Sequence, residues 1–122
     1  MGVILKDASG ADLALNWWTW RPIVELLRRK GLVDDQRAEM LQINGVGAAL
    51  DNDTAAATAR VVGELVASMP EGSRLMRDGT VTTEPHGPQP VSEMNEKWYG
   101  ALRESLRSFG DFCGGSGGFT VY

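Results

Sequence analysis

The sequence predicts an α+β protein in which about four helices pack on a small, mainly antiparallel sheet. Segments with apolar residues at helical spacing alternate with short apolar runs bounded by glycine, proline and aspartate. An Asp-Gly dipeptide at 78–79 lies between two short segments, which predicts a hairpin over 74–83 with a type I′ turn. The alternating residues 119–122 predict a C-terminal strand, and the length of 122 residues predicts one globular domain over 1–122.

Two short apolar runs open the chain, at 3–5 and 13–15. The residues between them, KDASGAD, favour a turn, so we expect a hairpin or a strand followed by a loop. This turn resembles the start of a calcium loop, but Trp18 occupies the position where such a loop needs its distal glutamate. No metal site is therefore predicted there.

Three tryptophans lie within four positions in NWWTWRP, residues 16–22. Thr19 is a suitable N-cap, so the first helix is predicted to begin at Trp20 with Pro22 in its first turn. Three cations precede Gly31, which supplies the left-handed residue expected after a helix end. We therefore expect a first helix from about Trp20 to the residue before Gly31.

Aspartates predict the starts of two further helices. Asp34 or Asp35 caps a second helix that ends at 44–45, Asn-Gly. Asp51 caps a third helix, which ends at Pro70. The apolar residues of the third helix recur at spacings of four and three, and the alanines of its first half allow another element to approach closely.

A fourth helix is predicted after 84–90, EPHGPQP, whose three prolines prevent a helix or a central strand. Ser92 is its predicted cap, and GGSGG at 114–118 is predicted to break it. The apolar residues at helical spacing along one face are Met94, Trp98, Leu102, Leu106 and Phe109.

Composition limits the classes of function. The net charge of −4 and the pI near 4.9 provide no long-range attraction for nucleic acid or anionic lipid, so neither partner is expected. No apolar stretch reaches the length of a membrane helix, and the N-terminus lacks the basic region of a signal peptide. A single cysteine excludes an internal disulfide, and we predict a cytoplasmic protein.

No catalytic or cofactor motif stands out. One histidine and one cysteine are too few for the usual zinc or iron–sulfur sites, so no metal or cofactor is predicted. Cys113 and His86 are the candidates for a thiol–imidazole pair, but a cysteine that follows Phe112 at a helix end is better interpreted as a small buried apolar residue. The glycines at 114–118 follow a helix, whereas phosphate loops precede one.

The tryptophan cluster is the strongest candidate for a binding surface. By periodicity, Trp20 belongs to the core-facing side of the first helix. Trp17 and Trp18 precede the predicted cap in extended backbone, where neighbouring side chains point in opposite directions, so one of them is expected to face outward. It either packs only at the edge of the core or contacts a partner or ligand. The candidate binding residues are Trp17, Trp18, Arg21, Glu25, His86 and Tyr99.

The segments NWWTWRPIVELLRRKGLVDD, RDGTVTTEP and FCGGSGGFTVY together resemble a family of small bacterial proteins that carry no assigned activity. The resemblance extends over almost the whole chain, and TWRP and DGTVTTEP are its most distinctive parts. It implies a single-domain intracellular bacterial protein, and no activity or site residue follows from it.

Two functions remain open on this basis. The first is a non-enzymatic protein–protein interaction or accessory domain of the immunity, anti-defence or regulatory type, with a protein partner or self-association. The second is a small-molecule-binding or enzymatic domain. Its groove would be formed by the N-terminal tryptophans, Arg21, Glu25 and the loop 84–90.

Overall fold

A computed structural model describes residues 2–43, 46–84 and 100–122. Over these ranges the predicted α+β class is confirmed, with the strands divided between two small antiparallel sheets rather than one. The helices are α1 (Trp17–Arg29), α2 (Asp35–Leu41), α3 (Asn52–Ser68) and α4 (Arg103–Ser116). The strands are β1 (Gly2–Asp7), β2 (Asp12–Asn16), β3 (Ala49–Leu50), β4 (Arg74–Met76), β5 (Val81–Thr82), β6 (Gly100–Leu102) and β7 (Phe119–Val121).

The first sheet has the strand order β2-β1-β7-β3, and every neighbouring pair is antiparallel. Ile4 in β1 and Tyr122 exchange backbone hydrogen bonds of 3.0 and 2.8 Å. Val3 and Leu5 are buried on the helix side, whereas Ile4 between them is 43% exposed. One face of this sheet thus covers the core, and the C-terminal strand predicted from the sequence is confirmed.

The second sheet has the order β5-β4-β6 and contains the predicted hairpin. Arg74 pairs with Thr82 and Leu75 with Val81, which confirms the pairing expected over 74–83. On the other side of β4, Leu75 pairs with Ala101 of β6.

The turn of this hairpin differs from the predicted type I′ turn, because Gly79 has a φ of 95° and Asp78 does not have a positive φ. The Gly79 N–H donates to the Met76 carbonyl at 3.0 Å, which closes a type I turn before the left-handed glycine. The turn between β1 and β2 has the same form: Gly10 has a φ of 92° and its N–H donates to the Asp7 carbonyl. Asp-Gly fits the end of such a three-residue loop as well as a two-residue turn.

Helix α1 begins three residues earlier than predicted. Asn16, the last residue of β2, is its N-cap, and the Asn16 side chain accepts a hydrogen bond of 2.8 Å from the Thr19 N–H. The prediction of Thr19 as the cap was therefore wrong, and Trp17 and Trp18 lie in the first helical turn. Asparagine caps a helix at least as well as threonine, so the local sequence did not decide whether Asn16 or Thr19 is the cap.

The end of α1 and the start of α2 lie where the sequence predicts them. Gly31 has a φ of 70° and its N–H donates to the Arg28 carbonyl, while the Leu32 N–H donates to the Leu27 carbonyl. This is the predicted glycine-terminated helix end. Asp34 then caps α2, which ends at Leu41, before the predicted end at 44–45, a pair that lies outside the described residues.

The prediction of a fourth helix is wrong over residues 100–102 and at its end, whereas its predicted start lies outside the described residues. Residues 100–102 form β6, because they pair with β4, and the helix begins at Arg103. Leu102, expected on the inward face, is 47% exposed, whereas Leu106 and Phe109 are buried as predicted. The glycines at 114–118 do not break the helix at once: α4 continues to Ser116 and ends at Gly117, with a φ of 67°. Residues 91–99, including Ser92, lie outside the described chain.

Helices α3 and α4 pack closely through small residues. Asp51 caps α3 as predicted, and its side chain accepts from the Thr54 N–H at 2.7 Å. A Cβ added at Gly114 of α4 would lie 3.6 Å from the Cβ of Ala59 in α3. The close approach predicted from the alanines of this helix is confirmed.

Trp20 is a core residue, as predicted. Its side chain is fully buried, and its indole N–H donates to the Leu41 carbonyl at 2.8 Å. The indole contacts Phe109 edge to face at 5.9 Å, and Phe109 contacts Phe119 at 6.3 Å. One aromatic chain thus connects α1 and α2 with α4 and the first sheet.

Candidate functional site

The outer face of α1 carries the exposed part of the tryptophan cluster. Trp18, Arg21, Glu25 and Arg28 recur at spacings of three and four, so they lie along one side of the helix. Trp18 is 41% exposed, and the side chain of Arg28 is also exposed. We call these four residues the α1 stripe.

Trp17 and Trp18 diverge, but not for the reason that the sequence suggested. Consecutive residues of a helix point about 100° apart, so one indole turns toward the core and the other toward solvent. Trp17 is half-buried and packs against the core, whereas Trp18 is exposed. The structure thus identifies Trp18 as the outward residue of the pair.

Arg21 is held against Trp17. Its guanidinium carbon lies 5.3 Å from the centre of the Trp17 ring, which is the distance of a cation–π contact. Arg21 is half-buried as a result. This contact orders a long cationic side chain one turn beyond Trp18.

Glu25 forms a two-point ion pair with Arg28. Both Glu25 carboxylate oxygens accept hydrogen bonds of 3.0 Å from the Arg28 guanidinium. This hydrogen-bonded pair, together with the positive charges of Arg28, Arg77 and Arg29, lowers the pKa of Glu25. The carboxylate is therefore ionised at neutral pH, a state that suits binding rather than proton donation.

Four of the six predicted binding residues thus lie on two turns of one helix: Trp17, Trp18, Arg21 and Glu25. His86 and Tyr99 lie outside the described residues, as do residues 85–90 of the predicted loop. The groove that the sequence placed between the tryptophans and this loop stays a prediction. Glu25 does line a depression of about 330 Å³ between α1 and α2, but none of the described tryptophans lines it.

A groove that was not predicted from the sequence runs between α3 and α4. It encloses about 620 Å³, is open to solvent, and is lined mainly by small and aliphatic residues. Two arginines are at its rim: Arg103, whose Nε donates to the Val66 carbonyl at 3.2 Å, and Arg107, which lies 3.6 Å from Glu104. The detectable signal was the spacing of four between Ala59, Gly63 and Ala67. The complete lining is Ala59, Val62, Gly63, Val66, Ala67, Arg103, Arg107, Gly110, Asp111 and Gly114.

Cys113 has the properties of a buried apolar residue. It is 1% exposed, and burial raises the pKa of its thiol to about 12. The thiol is therefore protonated at neutral pH, and a thiolate nucleophile is not available at this position.

Within the described ranges, no group of three or more histidine, cysteine, aspartate or glutamate side chains is arranged to hold a metal ion. Over the same residues, no helix is both long and apolar enough to cross a lipid bilayer.

Comparisons of this chain with family models, with curated proteins and with solved structures found no match. The resemblance to a family of small bacterial proteins therefore stays a prediction from the sequence.

Proposed function

We propose that this chain is a non-enzymatic protein-binding domain that contacts its partner through the α1 stripe. The observation that carries the proposal is the 41% exposure of Trp18 in the first turn of α1. Tryptophan and arginine are the residue types that most often dominate the energy of protein interfaces, and the stripe contains both.

The exposed indole is large enough to matter for affinity. A tryptophan offers roughly 250 Å² of surface, so an exposed fraction of 41% leaves about 100 Å² for a partner to cover. At about 25 cal/mol per Å², covering this area contributes roughly 2.5 kcal/mol. That free energy corresponds to about a 70-fold change in the dissociation constant.

The rest of the stripe is ordered before any partner binds. Arg21 is held by the Trp17 ring, and Glu25 is held by two hydrogen bonds from Arg28. Ordered side chains lose less conformational entropy on binding than mobile ones, so these contacts favour association. The stripe thus presents an apolar anchor next to charges at defined positions.

The charge of the whole chain points to the kind of partner. With a net charge of −4, the protein is attracted over long range to a basic protein rather than to an acidic one. We propose that it serves as an immunity, anti-defence or regulatory binding protein of a bacterial cytoplasm.

The test compares Trp18→Ala with Met40→Ala, which removes another exposed apolar side chain, 36% exposed, from α2. Proteins that the wild-type chain captures from a bacterial lysate are identified, purified and titrated against all three forms. We expect Trp18→Ala to weaken one such partner by about 70-fold, the value derived above, and Met40→Ala to leave it unchanged. A partner that binds all three forms equally would contradict the proposal.

A second function, small-molecule binding, is favoured by the α3–α4 groove rather than by the groove predicted from the sequence. Its volume of about 620 Å³ is within the usual range of ligand sites, and its arginines suit an anionic apolar ligand. We expect the anionic dye ANS to bind there, and Ala67→Leu to weaken binding because the larger side chain occupies part of the groove. Equal dye fluorescence from both forms would contradict this function.

A further inference from the structure

Among the described residues, strand β2 has a partner strand on one side only. It pairs with β1 on one side and is the outermost strand of its sheet in the described chain. Ile4 of β1 directs its backbone hydrogen bonds to Tyr122, whereas the Asp7 N–H donates to the Ala11 carbonyl beside β2. Because these directions alternate along a strand, the N–H and C=O groups of Asp12 and Ala14 point away from the sheet.

The sequence of this edge contains no lysine, no proline and no bulge, and its one charged residue, Asp12, is at the end of the strand. Natural edge strands commonly contain lysine, proline or a bulge. Strand β2 reads Asp-Leu-Ala-Leu-Asn, and its register with β1 is continuous from Gly2↔Asn16 to Lys6↔Asp12. The strand therefore presents regular backbone donors and acceptors to whatever lies beside it.

The residue pattern of β2 is symmetric about Ala14. Read from either end, the strand has a polar residue, then a leucine, then Ala14. An antiparallel pair of identical strands has a two-fold axis, so a symmetric pattern places like side chains opposite each other. We infer that the β2 edge pairs antiparallel with the β2 edge of a second copy of this chain, with Ala14 on the two-fold axis.

Backbone hydrogen bonds match in this register. The two Ala14 residues exchange both of their outward hydrogen bonds across the axis. Each Asn16 N–H reaches the carbonyl of Asp12 in the other copy. Both outward groups of Ala14 and the outward carbonyl of Asp12 thus meet complementary groups of the other strand, and the two four-stranded sheets become one continuous sheet.

The side chains of β2 also fit this antiparallel pairing. Leu13 and Leu15 are only half-buried at the helix-facing side of the edge. In the dimer, Leu13 of one copy contacts Leu15 of the second copy. These are the close, non-hydrogen-bonded pairs of the ladder. Asp12 lies opposite Asn16 and beside Lys6 of its own chain, so no two like charges oppose each other directly. This interface uses the backbone of β2 rather than the α1 stripe, and the inference does not depend on the proposed function.

Sedimentation velocity from micromolar to submillimolar concentration tests the inference. We expect the wild-type chain to shift from monomer to dimer over this range. Ala14→Lys places two like charges opposite each other on the axis and should give a monomer at every concentration. Ile4→Lys is the matched control, because it adds the same charge to the same exposed sheet face, one strand away from the edge; it should dimerise as the wild type does.

Ala14→Pro is a second test that involves no charge. It removes only an outward N–H, and proline is tolerated in an edge strand, so folding should persist while the dimer is lost. A wild-type chain that stays monomeric, or a dimer that survives both Ala14→Lys and Ala14→Pro, overturns the inference.

Disulfide crosslinking tests the register. Opposed Cα atoms of a hydrogen-bonded antiparallel pair lie about 5.5 Å apart, within disulfide range, so Ala14→Cys should form a disulfide-linked dimer under mild oxidation. Asp12→Cys should not, because two Asp12 residues would be separated by about four strand residues, roughly 13 Å. Buried Cys113 does not compete. Equal crosslinking at both positions would overturn the proposed register.

Discussion

Replacing Gly79 with alanine should destabilise this protein more than the same change at Gly10, although the two glycines occupy equivalent turns. Both have a φ above 90°, a conformation that alanine adopts at a cost of about 1 kcal/mol. The turns differ in their surroundings. A Cβ at Gly10 meets nothing within 4 Å, whereas a Cβ at Gly79 would lie 2.9 Å from the Cζ of Arg29.

The additional cost at Gly79 comes from Arg29. The Arg29 Nη1 donates to the Arg77 carbonyl at 3.0 Å and thereby ties the end of α1 to the second hairpin. A new methyl group forces this guanidinium to move, and an exposed hydrogen bond of this kind contributes about 1 kcal/mol. We therefore expect Gly10→Ala to lower the free energy of unfolding by about 1 kcal/mol and Gly79→Ala by about 2 kcal/mol.

Urea denaturation followed by tryptophan fluorescence measures both changes, with unchanged m-values as the check that unfolding remains two-state. Combining each glycine variant with Arg29→Ala separates the two causes. In that background the two alanine substitutions should have the same effect, because only the backbone strain is left. Equal destabilisation by Gly10→Ala and Gly79→Ala in the wild-type background would refute the reasoning.

Three further predictions concern helix packing, a buried hydroxyl and the cysteine. Gly63→Ala should raise the free energy of unfolding by about 0.5–1 kcal/mol, since its Cβ would meet open space. Gly110→Ala should raise it less, because its Cβ would lie 3.0 Å from Val62. Equal gains in urea denaturation would contradict this. Thr58→Val should stabilise by about 1 kcal/mol, because the buried Thr58 hydroxyl has no hydrogen-bond partner among the described residues; a loss of stability would show an unrecognised bond. The raised pKa of Cys113 predicts that stability is fully present below pH 9.0 and declines as the pH rises toward about 12, since only the unfolded thiol ionises there. Cys113→Ser should not show that component of the pH dependence, and identical pH profiles of the two forms would contradict the assignment.

Local signals predicted the end of α1 and the starts of α2 and α3. Asp34, Asp51 and Gly31 act where the sequence placed them, because a capping side chain or a left-handed glycine needs only its own few neighbours. The start of α1 could not be resolved in this way. Asn16 and Thr19 are both good caps, and Asn16 is used because β2 delivers the chain to it in extended backbone.

The error in the fourth helix has a tertiary cause. Residues 100–102 continue the helical apolar spacing, but β4 needs a second partner, and pairing with it holds Gly100 and Ala101 in a buried strand. A Cβ at Gly100 would lie 2.6 Å from the guanidinium of Arg74, so this strand also depends on a side chain distant in sequence. The spacing of apolar residues in the sequence does not reveal such a contact.

The candidate site was partly visible in the sequence. The tryptophan cluster identified the region, and helical spacing identified Trp20 as core. The expectation that one of Trp17 and Trp18 faces outward was correct, but which of them does so required the position of α1 on the sheet. The groove between α3 and α4 was missed because its walls come from two helices far apart in the chain.

By itself, the sequence determined the class of fold, the place of Trp20 in the core and the caps of α2 and α3, all of which depend on residues within a few positions of each other. Only the tertiary structure decided that the strands form two sheets, that Trp18 rather than Trp17 is exposed, and that β2 is an edge. These properties arise from contacts between segments distant in sequence. The free energy of such contacts depends on which surfaces meet, and the local pattern of residues does not contain that information.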